Sequence, residues 1–143
     1  IITAHTKDGS ELAEEFRLPA PVREIIAEHH GATVVEYFYR QAQRTPGLDG
    51  DEPREEQFRY PGPKPQTKEA AIVMLADAVE SASRTLREPS PGHMRDLVHE
   101  LVAKRLADGQ LDDCNLTLAE VHRIEESLSK SLIAIYHSRI SYV

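Results

Sequence analysis

The chain has 143 residues, 40% of them hydrophobic, and a mean hydropathy of −0.47, enough for one domain with a buried core and too little for an array of domains. Its 24 acidic side chains outnumber 17 lysines and arginines, and the net charge of −7 with a pI near 5.5 excludes the basic footprint of a duplex nucleic-acid binder. No apolar run approaches the roughly 20 residues of a membrane-spanning helix, and Ile1-Ile2-Thr3-Ala4-His5 lacks the basic start and apolar centre of a signal peptide. The lone Cys114 cannot close an internal disulfide, a usage that favours the cytoplasm. Seven histidines against no tryptophan and two methionines stand out, because histidine is the commonest metal ligand and general acid–base group. The chain begins without methionine and is expected to be part of a longer protein.

Taken in order, the start and stop signals predict an all-α domain of about six helices around one core. Asp8 and Glu11 have capping-box spacing, and Leu12, Ala13 and Phe16 continue a helix that the prolines at 19 and 21 stop near Leu18. Pro21 suits the first turn of a second helix, which runs through Val22, Ile25 and Ile26 to His29-His30 and ends at Gly31. A third is predicted from a Thr33–Glu36 capping box to about Arg44. From Thr45 to Gln66 lie five of the nine prolines and three of the seven glycines, with five acids between Asp49 and Glu56. Residues 45 to about 57 are therefore expected to form a mobile insertion. Phe58 to Pro65 is expected to be a fixed loop, because its alternating prolines restrict the backbone and two aromatics can pack it down.

Lys68 to Arg84 reads as a helix apolar on every face and hence buried all round. Ser90 with Pro91 opens the next, with Met94, Leu97, Val98, Leu101, Val102 and Leu106 inward and Gly109 past its end. Thr117 and Glu120 cap the last, whose stripe of Leu118, Val121, Ile124, Leu128, Leu132 and Ile135 runs to Tyr136.

Asp77 follows seven apolar positions, so its carboxylate needs an ion pair, hydrogen bonds or a metal. Two readings stand: a structural pair with Arg84 or a nearby lysine, or a metal or catalytic role. His29 and His30, adjacent on a helix, would point about 100° apart, but a fraying C-terminus relaxes that geometry. They are either helix-end imidazoles favoured by the dipole or metal-site residues, and His5 is either a surface histidine or a third of these. Histidines and a carboxylate from several helices can converge into a dinuclear site, and a donor set without thiolate suits iron, manganese or zinc. His93, His99, His122 and His137 read as structural.

Several stretches carry a resemblance: His5-Thr6-Lys7-Asp8-Gly9, Ile25 to Gly31, Phe58 to Ala71 (FRYPGPKPQTKEAA), Met74 to Glu80, Asp108 to Asp112 and His137-Ser138-Arg139-Ile140. Together they resemble the catalytic HD domain of PgpH-type membrane proteins, in which a membrane region precedes a cytoplasmic phosphohydrolase that hydrolyses cyclic di-AMP. The resemblance implies a helical HD fold, a membrane-anchored parent and two divalent ions, iron or manganese. It makes His5, His29, His30 and Asp77 their ligands, with a metal-activated water attacking phosphorus in line. It departs from the family at one point: the earlier histidine and the His-Asp doublet are expected upstream, and no adjacent His-Asp pair occurs in this sequence. Arg59 and Lys64 are candidate phosphate contacts, and Tyr37, Tyr39 and Tyr60 candidate faces for adenine, with Tyr60 and Lys64 foremost because prolines hold them. The alternative function is a module that senses a nucleotide without hydrolysing it.

Overall fold

A computed structural model describes residues 2–45, 47 and 50–140, with side chains placed to 137. Six α-helices account for the architecture of these residues: α1 (His5–Glu15), α2 (Ala20–Glu28), α3 (Glu36–Arg44), α4 (Lys68–Ser83), α5 (Pro91–Ala107) and α6 (Leu118–Ile140). Short 3-10 turns occupy Ile2–Ala4 and Glu55–Phe58, and β pairing among the described residues is limited to one antiparallel bridge between Val34 and Arg59. Of the expected mobile insertion, positions 46, 48 and 49 lie outside the described residues, and its end is the Glu55–Phe58 turn. The chain divides into two compact units, Ile1–Lys64 and Pro65–Val143.

In the first unit α1 packs on α2 through small residues. Thr6 and Ala13 are buried, and a Cβ on Gly9 between them would stand 3.1 Å from Cγ2 of Ile26. A mid-helix glycine costs about 0.5–1 kcal/mol against alanine, so its use here marks a close helix approach. The expected apolar face is corrected: Leu12 is 53% and Phe16 69% exposed. The predicted Asp8 cap is likewise replaced, because the preceding 3-10 turn feeds α1 from His5 and leaves Asp8 in the first turn, where its charge suits the dipole. The helix ends before the prolines act. Arg17 adopts φ 53°, with Arg17 N–H donating to Glu14 O and Leu18 N–H to Ala13 O, a Schellman closure.

Pro21 lies in the first turn of α2 as predicted. Thr33 and Glu36 do not cap α3, because the backbone before that helix is drawn into pairing with the proline loop. Val35 N–H donates to Phe58 O at 2.8 Å and Tyr60 N–H to Thr33 O at 2.9 Å, while Glu36 pairs with Arg40 instead.

The second unit holds the apolar cluster, built from Ala71, Met74, Leu75 and Val79 of α4, Met94, Val98 and Val102 of α5, Val121 and Leu132 of α6, and Leu111 with Cys114 from the turn between α5 and α6. Side-chain oxygens cap all three helices. Thr67 accepts from Ala70 N–H and Ser90 from His93 N–H, and Thr117 and Glu120 form the predicted reciprocal box. Gly109 at φ 72° closes α5 in a second Schellman motif, with Gln110 N–H donating to Arg105 O. Tyr136 Oη donates to Ser83 O at 2.7 Å, tying α6 to the end of α4.

Some predicted inward positions turn outward, because an α-helix in a three-helix layer buries only one stripe. Ile72 and Val73 on α4 are 40% and 37% exposed, so that helix is not buried all round, and Asp77 is half-buried. Leu106, Leu118 and Ile135 are also exposed.

Two outcomes follow for stability. Leu75, fully buried, should cost about 2–5 kcal/mol when replaced by alanine, read from chemical denaturation. Hydrogen bonds from Lys68, and then from Thr117, hold the Glu120 carboxyl down at about 2. A depressed folded pKa adds stability above the unfolded value and loses it as pH falls through the folded one. Stability should therefore decline between about pH 4.5 and 2, and Glu120→Gln should flatten that part of the curve while added salt weakens it.

A candidate metal centre of three histidines

His5 opens α1, His29 is the C-cap residue of α2, and His30 follows in the turn that Gly31 completes at φ 52°. Because α2 stops at Glu28, the two adjacent histidines escape the divergence of a helix body. One nitrogen from each of the three rings lies within 4.8 Å of the others, with His5 exposed and His29 and His30 half-buried. The cluster is therefore reachable from solvent.

Hydrogen bonding fixes the chemistry of two of the rings. His5 Nδ1 lies 2.6 Å from Ile2 O and His29 Nδ1 lies 2.7 Å from Ile26 O. A carbonyl can only accept, so both Nδ1 atoms carry a proton, and in a neutral ring Nε2 is then the free donor atom for a metal. These Nε2 atoms face each other at 3.3 Å. A hydrogen bond between the two rings or a metal ion between them satisfies such a contact. Two nitrogens bound to one ion at about 2.0–2.1 Å and separated by this distance subtend roughly 100–110°, an ordinary ligand angle. An Nδ1–H donated to a backbone carbonyl is also the usual support of a metal-binding histidine. The span of the cluster suits one ion or a pair about 3.5–4 Å apart.

His30 lies between two rings. Its centroid is 4.0 Å from that of His29 and 4.5 Å from that of Tyr60, with Tyr60 stacked at 20°. The fixed proline loop thus carries Tyr60 against the histidines. Arg59, beside it, donates to Ala32 O at 2.7 Å and pairs with Glu55, so its guanidinium braces the loop. Tyr39 packs at a tilt on Phe58, Tyr37 is 72% exposed and meets Phe38 edge-on, and Lys64 is half-buried. Asp77 lies on α4 of the second unit and is outside the histidine cluster that the structure brings together.

Sequence reasoning passed over Thr33. It is buried, its hydroxyl and N–H both donate to His30 O, and its own carbonyl receives Tyr60 N–H. Its spacing to Glu36 suggests a cap, and only the pairing with the distant loop reveals the other role. Glu28 was also passed over as a buried acid directly ahead of the histidines, its carbonyl receiving Gly31 N–H at 2.8 Å. Three of the four histidines read as structural have partners away from the cluster: His99 with Glu125 of α6, His122 with Glu126, and His93 with Glu88 O.

The chain is 42% identical over 142 residues to the cyclic-di-AMP phosphodiesterase PgpH of Bacillus subtilis (strain 168), and 40% identical over 142 residues to that of Listeria monocytogenes serotype 1/2a (strain 10403S). In each case 99% of this chain is matched, and it spans 19% of the curated relative. The crystal structure of the L. monocytogenes PgpH HD domain in complex with cyclic-di-AMP superposes with a TM-score of 0.88 at 39% identity, covering 95% of this chain and 62% of that one. The family model of the HD domain matches residues 1–82, more than half of the sequence and all three histidines with Asp77. The chain belongs to the HD domain family.

Proposed function

We propose that this HD domain hydrolyses a phosphodiester bond of a cyclic dinucleotide, cyclic di-AMP, giving the linear dinucleotide. In this reading His5, His29 and His30 hold divalent ions, iron or manganese, and Asp77 is a carboxylate ligand. The observation that carries it is the pair of Nε2 atoms 3.3 Å apart, each opposite an Nδ1 held by a backbone carbonyl. The relatives named as cyclic-di-AMP phosphodiesterases, and the similar domain crystallised with that nucleotide, support the choice of substrate. The membrane-anchored parent is part of the same proposal and rests on the resemblance alone.

Divalent ions held there would supply the Lewis acid and activated water that phosphodiester hydrolysis needs at neutral pH. The chain's own residues do the rest. His5 and His29 aim their Nε2 atoms through Nδ1–H groups already bonded to backbone carbonyls. The exposed side of His5 leaves an approach for a substrate. A chain of net charge −7 repels a dianionic dinucleotide, and bound cations offset that repulsion locally. Lys64 on the proline loop offers a cation to a phosphate oxygen, and the exposed Tyr37 a face for adenine.

Metal analysis of the purified protein should find iron or manganese, and His5→Ala or His29→Ala should remove it. Loss of a ligand should lower hydrolysis by more than the roughly 10–100-fold typical of outer-shell substitutions. Asp77→Ala should lower metal content; if it left metal unchanged and raised stability, its role would be structural. Chromatography of cyclic di-AMP incubated with the metal-loaded protein should show the linear product. Metal-loaded protein that binds the nucleotide and yields no product would replace hydrolysis with sensing.

A further inference from the structure

His5 and His29 are aimed by hydrogen bonds to carbonyls three residues earlier, whereas His30 sits in a turn beyond the end of α2. What lies against the ring is Tyr60, stacked at 4.5 Å and 20°, with the edge of the same tyrosine toward His5 at 5.7 Å and 88°. His29 flanks His30 at 4.0 Å.

Tyr60 is itself fixed. Its N–H donates to Thr33 O, Val35 N–H donates to Phe58 O, and Arg59 reaches Ala32 O at 2.7 Å. Thr33 makes the link direct, because it also holds His30 O through its hydroxyl at 2.8 Å. One buried threonine therefore sets the backbone of both stacked residues.

We propose that Tyr60 is a positioning residue of the metal centre: its ring fixes the imidazole plane of His30, and the Thr33 and Arg59 contacts hold it there. This assignment rests on His5, His29 and His30 being metal ligands. It gives the loop FRYPGPKP a task at the ion beside the adenine stacking suggested by its sequence, since His30 covers one face of Tyr60.

Cobalt(II), whose visible bands report ligand number and symmetry, is the probe, titrated into the full chain with circular dichroism recorded alongside. Tyr60→Phe, which keeps the ring, should match the wild type in affinity and spectrum. Tyr60→Ala should bind cobalt roughly 10–100-fold more weakly with altered bands, while its helical content persists. Where Tyr60→Ala loses its fold, Tyr60→Leu, which keeps apolar bulk without a flat face, is read in its place and should show the same weakening. Cobalt binding by the folded Ala or Leu variant that equals the wild type would overturn the assignment and leave the metal centre standing. Weakening as large in Tyr60→Phe as in Tyr60→Ala would also overturn it, because the ring would then not be the agent. A wild type that shows no histidine-dependent cobalt bands would overturn the metal centre itself.

Discussion

Two imidazole nitrogens pointed at one another are the constraint on which the first unit turns. The Ile2 and Ile26 carbonyls accept from Nδ1–H of His5 and His29, and the two Nε2 atoms meet at 3.3 Å. A cation in the gap would meet both, and this places the physical case for the centre in the apposition of α1 and α2.

That apposition depends on small residues. Gly9 lets α1 come against Ile26, and Ile26 is also the residue whose carbonyl sets His29. Packing and ring placement thus share a residue, and bulk added at Gly9 would act on the histidine cluster through helix separation. The first unit buries Thr6, Ala13, Glu28 and Thr33, small or polar groups held by specific bonds, whereas the second buries a continuous apolar cluster from Ala71 to Leu132. Geometry is defined in the one by hydrogen bonds and ring contacts, and in the other by packing density.

Much of this could be read from the residues. The six helices, the Ser90 and Thr117 starts and the Gly31 and Gly109 positions at helix ends follow from local chemistry, and the structure has them. The histidines could be singled out because clustering of a rare ligand type is visible in composition and spacing. What escaped the sequence was non-local. Thr33 and Glu36 satisfy a capping pattern, but pairing with a loop 25 residues on takes the backbone elsewhere. Leu12 and Phe16 satisfy an apolar pattern, but α1 turns its glycine face inward. Asp77 looked enclosed because its neighbours are apolar, yet only one stripe of α4 is buried. In each case a local rule was obeyed in the sequence and outvoted by a contact that spacing cannot reveal.

The central claim is that His5, His29 and His30 bind metal, and diffraction from crystals grown with manganese tests it most directly. An anomalous peak within bonding distance of Nε2 of both His5 and His29, absent from crystals of His29→Ala, is the predicted result. Crystals with manganese in excess that show no anomalous density at the three histidines, with Nε2 of His5 and His29 turned apart, would contradict it.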